Sequence, residues 1–142
     1  MTVKALSALT SDITTLLADN TSGDVEASEV NTLLDNILES VYGRLPYVAK
    51  TADYTATDDD CVIACDATSA AVTITLPAVA STRVGKLYVA IKTDAGGNAV
   101  TFDGDSSETI NGATTKATST QYAALVVINT GSAWLGFALT GL

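Results

Sequence analysis

The residues best equipped for chemistry are carboxylates and two thiols. Asp58, Asp59 and Asp60 stand in one run, and "FDGDSSE" brings Asp103, Asp105 and Glu108 close together. Two carboxylates held ~5–10 Å apart across a cleft can cleave a glycosidic bond. Both runs read as solvated loops, so the residue types match a glycosidase and the setting does not. A third acidic stretch, around Asp19 and Asp24, invites a calcium loop. With Asp19 as the first ligand of an EF-hand loop, the glycine position holds Asp24 and the closing glutamate position holds Val30, so the motif fails.

Cys61 and Cys65 lie in "DDDCVIACDAT", which reads as a strand. Residues four apart on a strand are ~13 Å apart, and a disulfide needs Cα atoms within about 7 Å. The expected role of both is burial as small hydrophobes beside Ile63. The chain has no histidine, which removes the commonest general base and metal ligand and any Ser/His or Cys/His pair. "DAGGNAV" follows one strand and runs into another, so no helix N-terminus waits there for a phosphate. These observations point to a non-enzyme without cofactor or metal.

With 142 residues and 47% hydrophobic content, the chain can bury a core. Seven Lys and Arg stand against sixteen Asp and Glu, a net charge of −9. An acidic surface repels phosphate, so neither nucleic acid nor an anionic membrane surface is an expected partner. No apolar run approaches the ~20 residues of a membrane span. Met1-Thr2-Val3-Lys4 opens no secretory signal, so folding in the cytoplasm is expected, with later export possible only as part of a larger particle.

The composition changes at "YGRLPYVAK", which sets an expected boundary between residues 1–45 and 46–142. Before it the apolar spacing is helical. Leu6, Leu9, Ile13 and Leu16 are spaced three, four and three in a first helix from about Val3 to Ala18. Val30, Leu34, Ile37 and Val41 continue the stripe in a second helix, widened by Leu33 and Leu38. The turn "DNTSGD" would join them into a helical hairpin. Two such short helices cannot bury both stripes against each other, so the hairpin needs something further to pack on.

After the boundary the spacing alternates. Val72, Ile74 and Leu76 share one face, as do Leu87, Val89 and Ile91, and Asn111-Gly112 is a strong hairpin turn signal. About eight short strands with no helix between them predict an antiparallel β-sandwich or jelly-roll-like domain. "AALVVI" is apolar on both faces. With Ala124, Val126 and Ile128 toward the core, Leu125 and Val127 are left either for cover within their own chain, as on a central strand, or for a contact with another subunit.

The stretch from "DYTATDDD" to "INTGSAWLGF" resembles a β-rich module common in tailed-phage structural proteins. The parts that carry the likeness are "CDATSAAVTITLPA", "LYVAIKTDAGGNAVTF", "ETINGATT" and "TQYAALVVINTGSAW". "LLADNTSGDVEASEVNTLLDNILES" resembles the N-terminal helical segment of phage head-fibre and tail-fibre proteins. The sequence departs at Cys61 and Cys65, where valine or leucine is usual, and at Glu26, where a Ser or Thr cap is usual. The likeness implies a virion-surface protein assembled in the host cytoplasm. It would be a homotrimeric capsid decoration, cement or head-fibre protein that binds the major capsid protein. Leu9, Ile13, Leu16, Leu33, Leu34 and Ile37, with Leu125 and Val127, are the expected anchor or oligomer contacts. The alternative is a short tail fibre or fibre tip that binds host glycans, with stackers drawn from Tyr42, Tyr47, Tyr54, Tyr88, Tyr122 and Trp134.

Overall fold

The structure, a computed structural model, describes Ser11, Thr15 and residues 27–41 and 45–140. The chain divides into two compact units, Met1–Leu45 and Pro46–Leu142.

In the first unit the described residues hold one helix element, α1 (Ala27–Val41), with Glu29 in its first turn, where an acid favours the helix dipole. The expected helical hairpin is therefore corrected to this one element. Of the first expected helix only Ser11 and Thr15 are described, and both have helical backbone.

The second unit is built from nine strands, β1 (Tyr47–Lys50), β2 (Tyr54–Thr55), β3 (Val62–Cys65), β4 (Val72–Thr75), β5 (Leu87–Lys92), β6 (Val100–Asp103), β7 (Thr115–Thr118), β8 (Ala124–Asn129) and β9 (Trp134–Leu139). They form a five-stranded sheet in the order β1-β3-β5-β8-β9 and a four-stranded sheet in the order β2-β4-β6-β7. The chain switches sheet at each of the five steps from β1 to β6. β1, β3 and β5 pair in parallel in one sheet, and β2, β4 and β6 pair in parallel in the other. Only β7, β8 and β9 join their neighbours antiparallel.

Both sheets are thus mixed, and the expected antiparallel sandwich or jelly roll is overturned. The physical reason lies in the connections. A parallel pair needs a long crossover, usually a helix. Here each strand of one sheet serves as the crossover for the other, so the chain winds as a coil and needs no helix. The coil leaves a repeat in the sequence. "DATSAAVTI" (Asp66 to Ile74) and "DAGGNAVTF" (Asp94 to Phe102) align position by position, and their Val72 and Val100 are register partners on β4 and β6. Asn98 ties the two loops together, its Nδ2 donating to the Ala67 carbonyl at 2.9 Å.

The core lies between the sheets. Val72, Ile74, Leu76, Val100 and Phe102 meet Ile63, Cys65, Tyr88, Ala90, Leu125, Val127 and Trp134. Val72, Ile74 and Leu76 point inward as their alternation predicts. On β5 Tyr88, Ala90 and Lys92 point inward, and Leu87, Val89 and Ile91 lie together on the outer face. On β8 the phase is the reverse of the expected one, with Leu125 and Val127 in the core.

Asn111 (φ 50°) and Gly112 (φ 79°) occupy the left-handed region, and Ile110 bridges Ala113 across them. The Asn-Gly pair makes the tight hairpin turn its chemistry favours. This turn also closes the free edge of β9. The Asn111 N–H donates to the Trp134 carbonyl, and the Trp134 N–H donates to the Thr109 carbonyl. Next along the edge, Asn111 Nδ2 donates to the Gly136 carbonyl and Oδ1 accepts from the Gly136 N–H. Gly136 permits the close approach, since a Cβ there would lie 2.7 Å from Ile110 Cγ2.

Candidate interaction surface

Two carboxylates of the acidic runs, Asp60 and Glu108, do structural work. Asp60 is buried, and its Oδ2 accepts from the Thr57 N–H, the Thr57 hydroxyl and the Tyr54 hydroxyl. Glu108 accepts from the Val79 N–H with both oxygens, capping the short 3-10 turn Val79–Ser81. Asp103 shares an outer-face row of the four-stranded sheet with Thr75 and Thr115. Cys61 and Cys65 are free and buried. Burial pushes the Cys65 thiol up to about 11 and raises Cys61 as well, which keeps both protonated and unreactive at neutral pH.

One charged pair is enclosed. Lys92 is fully buried, and its Nζ donates to Asp94 Oδ1. Asp94 also accepts from the Gly96 N–H (2.8 Å) and the Ala67 N–H (2.7 Å). The bond from Lys92, with those two N–H groups, holds the Asp94 carboxyl down at about 2 against the opposing cost of desolvation. Asp66 is lowered too, by hydrogen bonds from Thr68. An unfolded aspartate titrates near ~3.9, so on acidification the unfolded chain takes up these protons first. The stabilisation is complete above about pH 4 and is lost as pH falls toward 2. Thermal melts from pH 5 to pH 2 are expected to show a falling midpoint, with a shallower slope in Asp94→Asn. A slope unchanged in that variant would assign the acid sensitivity to other carboxylates.

The surface that stands out is the outer face of the five-stranded sheet. Register partners across a sheet share a face, so its rows can be read directly. The middle row is Tyr47, Val62, Val89, Val126 and Phe137, and the next is Ala49, Ala64, Ile91, Ala124 and Leu139. Leu87, Ile128 and Leu135 make the third. Every position is apolar. Exposure is confined to the two edge strands, with Tyr47 at 68% and Leu135, Phe137 and Leu139 at 55–57%, while Ala64 and Val126 between them are buried and the other central positions are half-buried. A half-exposed sheet normally alternates apolar inside with polar outside. Strands β4 and β6 of the four-stranded sheet do so, and its outer face carries Thr55, Thr73, Thr75, Thr101, Asp103 and Thr115 with Ala117. The two outer faces therefore differ sharply in chemistry, one greasy and one hydroxylated.

Some expected contact residues lie elsewhere. Leu125 and Val127 are 4% and 1% exposed, filled in by their own chain's core rather than left for another subunit. Leu34 is 49% exposed on α1, and Leu33 and Ile37 are half-buried. Leu9, Ile13, Leu16 and Tyr42 lie outside the described residues. Among the expected stackers, Trp134 and Tyr88 are buried and pack on each other with ring centroids 5.6 Å apart. Tyr47 and Tyr122 are exposed.

Sequence reasoning missed Leu135, Phe137 and Leu139 as surface residues. The available signal was that β3, β5, β8 and β9 each carry apolar residues at both parities, one set more than a single core can absorb. The chain matches no protein-family model and no curated protein.

Proposed function

We propose that the chain is a structural protein of a tailed-phage virion, a homotrimeric capsid decoration, cement or head-fibre protein that binds and stabilises the shell. The observation that supports this best is the all-apolar outer face of the five-stranded sheet, exposed along its two edge strands. Large apolar patches on soluble proteins mark places that another protein covers. The sequence likeness to phage β modules supplies the kind of particle and the number three. Function would be adhesive. Burial of apolar area at ~25 cal/mol per Å² would hold subunits together and brace the major capsid protein beneath them. The glycan-binding alternative loses its expected tryptophan stacker, because Trp134 is 1% exposed.

The test is the copy number of this chain in purified particles, relative to the major capsid protein. Comparable abundance is expected. A handful of copies would move the protein to the tail or to a sparse fibre, and complete absence would withdraw the virion reading.

A further inference from the structure

We propose that the gap between the two sheets at the β7 and β9 flank is a binding site for a small monocarboxylate with an aromatic or short aliphatic body, held by the Lys116 ammonium. The proposal stands apart from the virion reading and goes beyond it.

The gap follows from which residues point inward there. On β9 the inward positions are Trp134, Gly136 and Ala138, the register partners of Asn129, Val127 and Leu125. Trp134 fills its end of the core. Gly136 and Ala138 fill almost nothing, and Ala138 is exposed although it stands on the inward parity. Gly136 cannot take a larger side chain, since a Cβ would lie 2.7 Å from Ile110 Cγ2 and 3.3 Å from Val127 Cγ1. A cavity of about 220 Å³ results, with walls from β7, β8, β9 and the Ile110–Asn111 turn. Ile110, Leu125, Val127 and Ala138 make it apolar.

One cation lines it. Lys116 on β7 is the register partner of the buried Phe102, so it stands on the inward face, half-buried. Other lysines of the β unit are engaged. Lys92 pairs with Asp94, Lys86 donates to the Asp58 carbonyl at 2.6 Å, and Lys50 lies 3.5 Å from the centre of the Tyr54 ring. Lys116 has no hydrogen bond or ion pair among the described residues. This is so in a chain with sixteen Asp and Glu against seven Lys and Arg.

The ligand's chemistry follows from those walls. Binding sites of this kind combine an apolar lining with a few polar groups that fix orientation. The Asn111 amide is spent on Gly136 at both ends, which leaves the ammonium as the free polar group. A sugar would find too few partners for its hydroxyls. The chain's charge of −9 works against polyanions, so the head carries one charge. An aliphatic-lined cavity of ~150 Å³ holds benzene. By that scale the site takes roughly nine non-hydrogen atoms, the size of benzoate or heptanoate.

The experiment is amide-resolved NMR of the full chain, titrated with sodium benzoate and separately with toluene, its neutral counterpart. The wild type is expected to bind benzoate saturably with a Kd near or below ~1 mM. The shifts are expected at Ile110, Lys116, Gly136 and Ala138. Lys116→Met keeps the stem and is expected to weaken benzoate about tenfold or more, the range for a hydrogen bond to a charged group, while toluene is unchanged. Ala138→Leu fills the gap and is expected to abolish both. Should that variant fail to fold, Lys116→Met, on an edge strand, decides alone. Absence of saturable benzoate binding overturns the proposal, as do shifts confined to other parts of the chain or a folded Ala138→Leu that binds as the wild type does. Equal benzoate affinity in Lys116→Met also overturns it, because the lysine then only covers apolar surface with its stem.

Discussion

Lys92→Met is expected to destabilise the folded chain by about 3–5 kcal/mol, the range for breaking a buried ion pair from one side. Lys92 ends β5 on its inward face, fully enclosed, with its ammonium on Asp94. Methionine keeps most of the stem packing and removes the positive charge. Asp94 then keeps the Ala67 and Gly96 N–H donors and loses its only counter-ion in that cluster. The double variant Lys92→Met/Asp94→Asn removes both charges and is expected to cost less than the two single losses added, because neither charge is left stranded. Denaturant unfolding followed by fluorescence measures all of them. A loss under ~1 kcal/mol for Lys92→Met would mean that the pair behaves as an exposed one.

Trp134→Ala is expected to cost about 3–5 kcal/mol, while Trp134→Phe costs less than ~1.5 kcal/mol. Trp134 opens β9 and is among the largest fully buried side chains. Alanine would leave a cavity between the Tyr88 ring and the Ile110 turn. Phenylalanine leaves a smaller one and also removes a liability. The indole Nε1 is buried and has no hydrogen-bond partner among the described residues, and an unsatisfied buried donor costs ~1–3 kcal/mol. Deleting that donor offsets part of the lost packing. Equal and large losses in both variants would show that the indole N–H does find a partner in solution, such as a buried water.

Much of the β unit was legible because alternation reports burial directly. Val72, Ile74 and Leu76, the buried pair Cys61 and Cys65 around Ile63, and the Asn111-Gly112 turn all follow from local rules. On β5 and β8 alternation leaves the phase open for one shared reason. In "LYVAIK" and "ALVVIN" both parities are largely apolar, so pattern alone cannot say which set faces the core. On β5 the structure turns Tyr88 inward, where its hydroxyl donates to the Thr57 carbonyl, and gives Leu87, Val89 and Ile91 to the outer face. Lys92 could not have been placed inside on pattern, since enclosing it depends on Asp94 two residues on and on a loop a full coil earlier.

The strand directions failed for a different reason. Absence of intervening helices argues against parallel pairs only where both strands of a crossover belong to one sheet. The repeat of "DATSAAVTI" in "DAGGNAVTF" was the available clue, because self-similarity at a fixed spacing is how stacked coils announce themselves. The candidate surface follows once directions and phases are known, and is hidden before that.

The Asn111 cap on β9 has a consequence for size. Stacked parallel coils present open ladders at both ends, and such ends invite copies to add one after another without limit, as in a filament. Growth of that kind needs a vacant end on each copy. Here a single asparagine side chain imitates the missing strand against Gly136, so one end is already taken. In this chain that part of the edge is closed by the side chain of one turn residue.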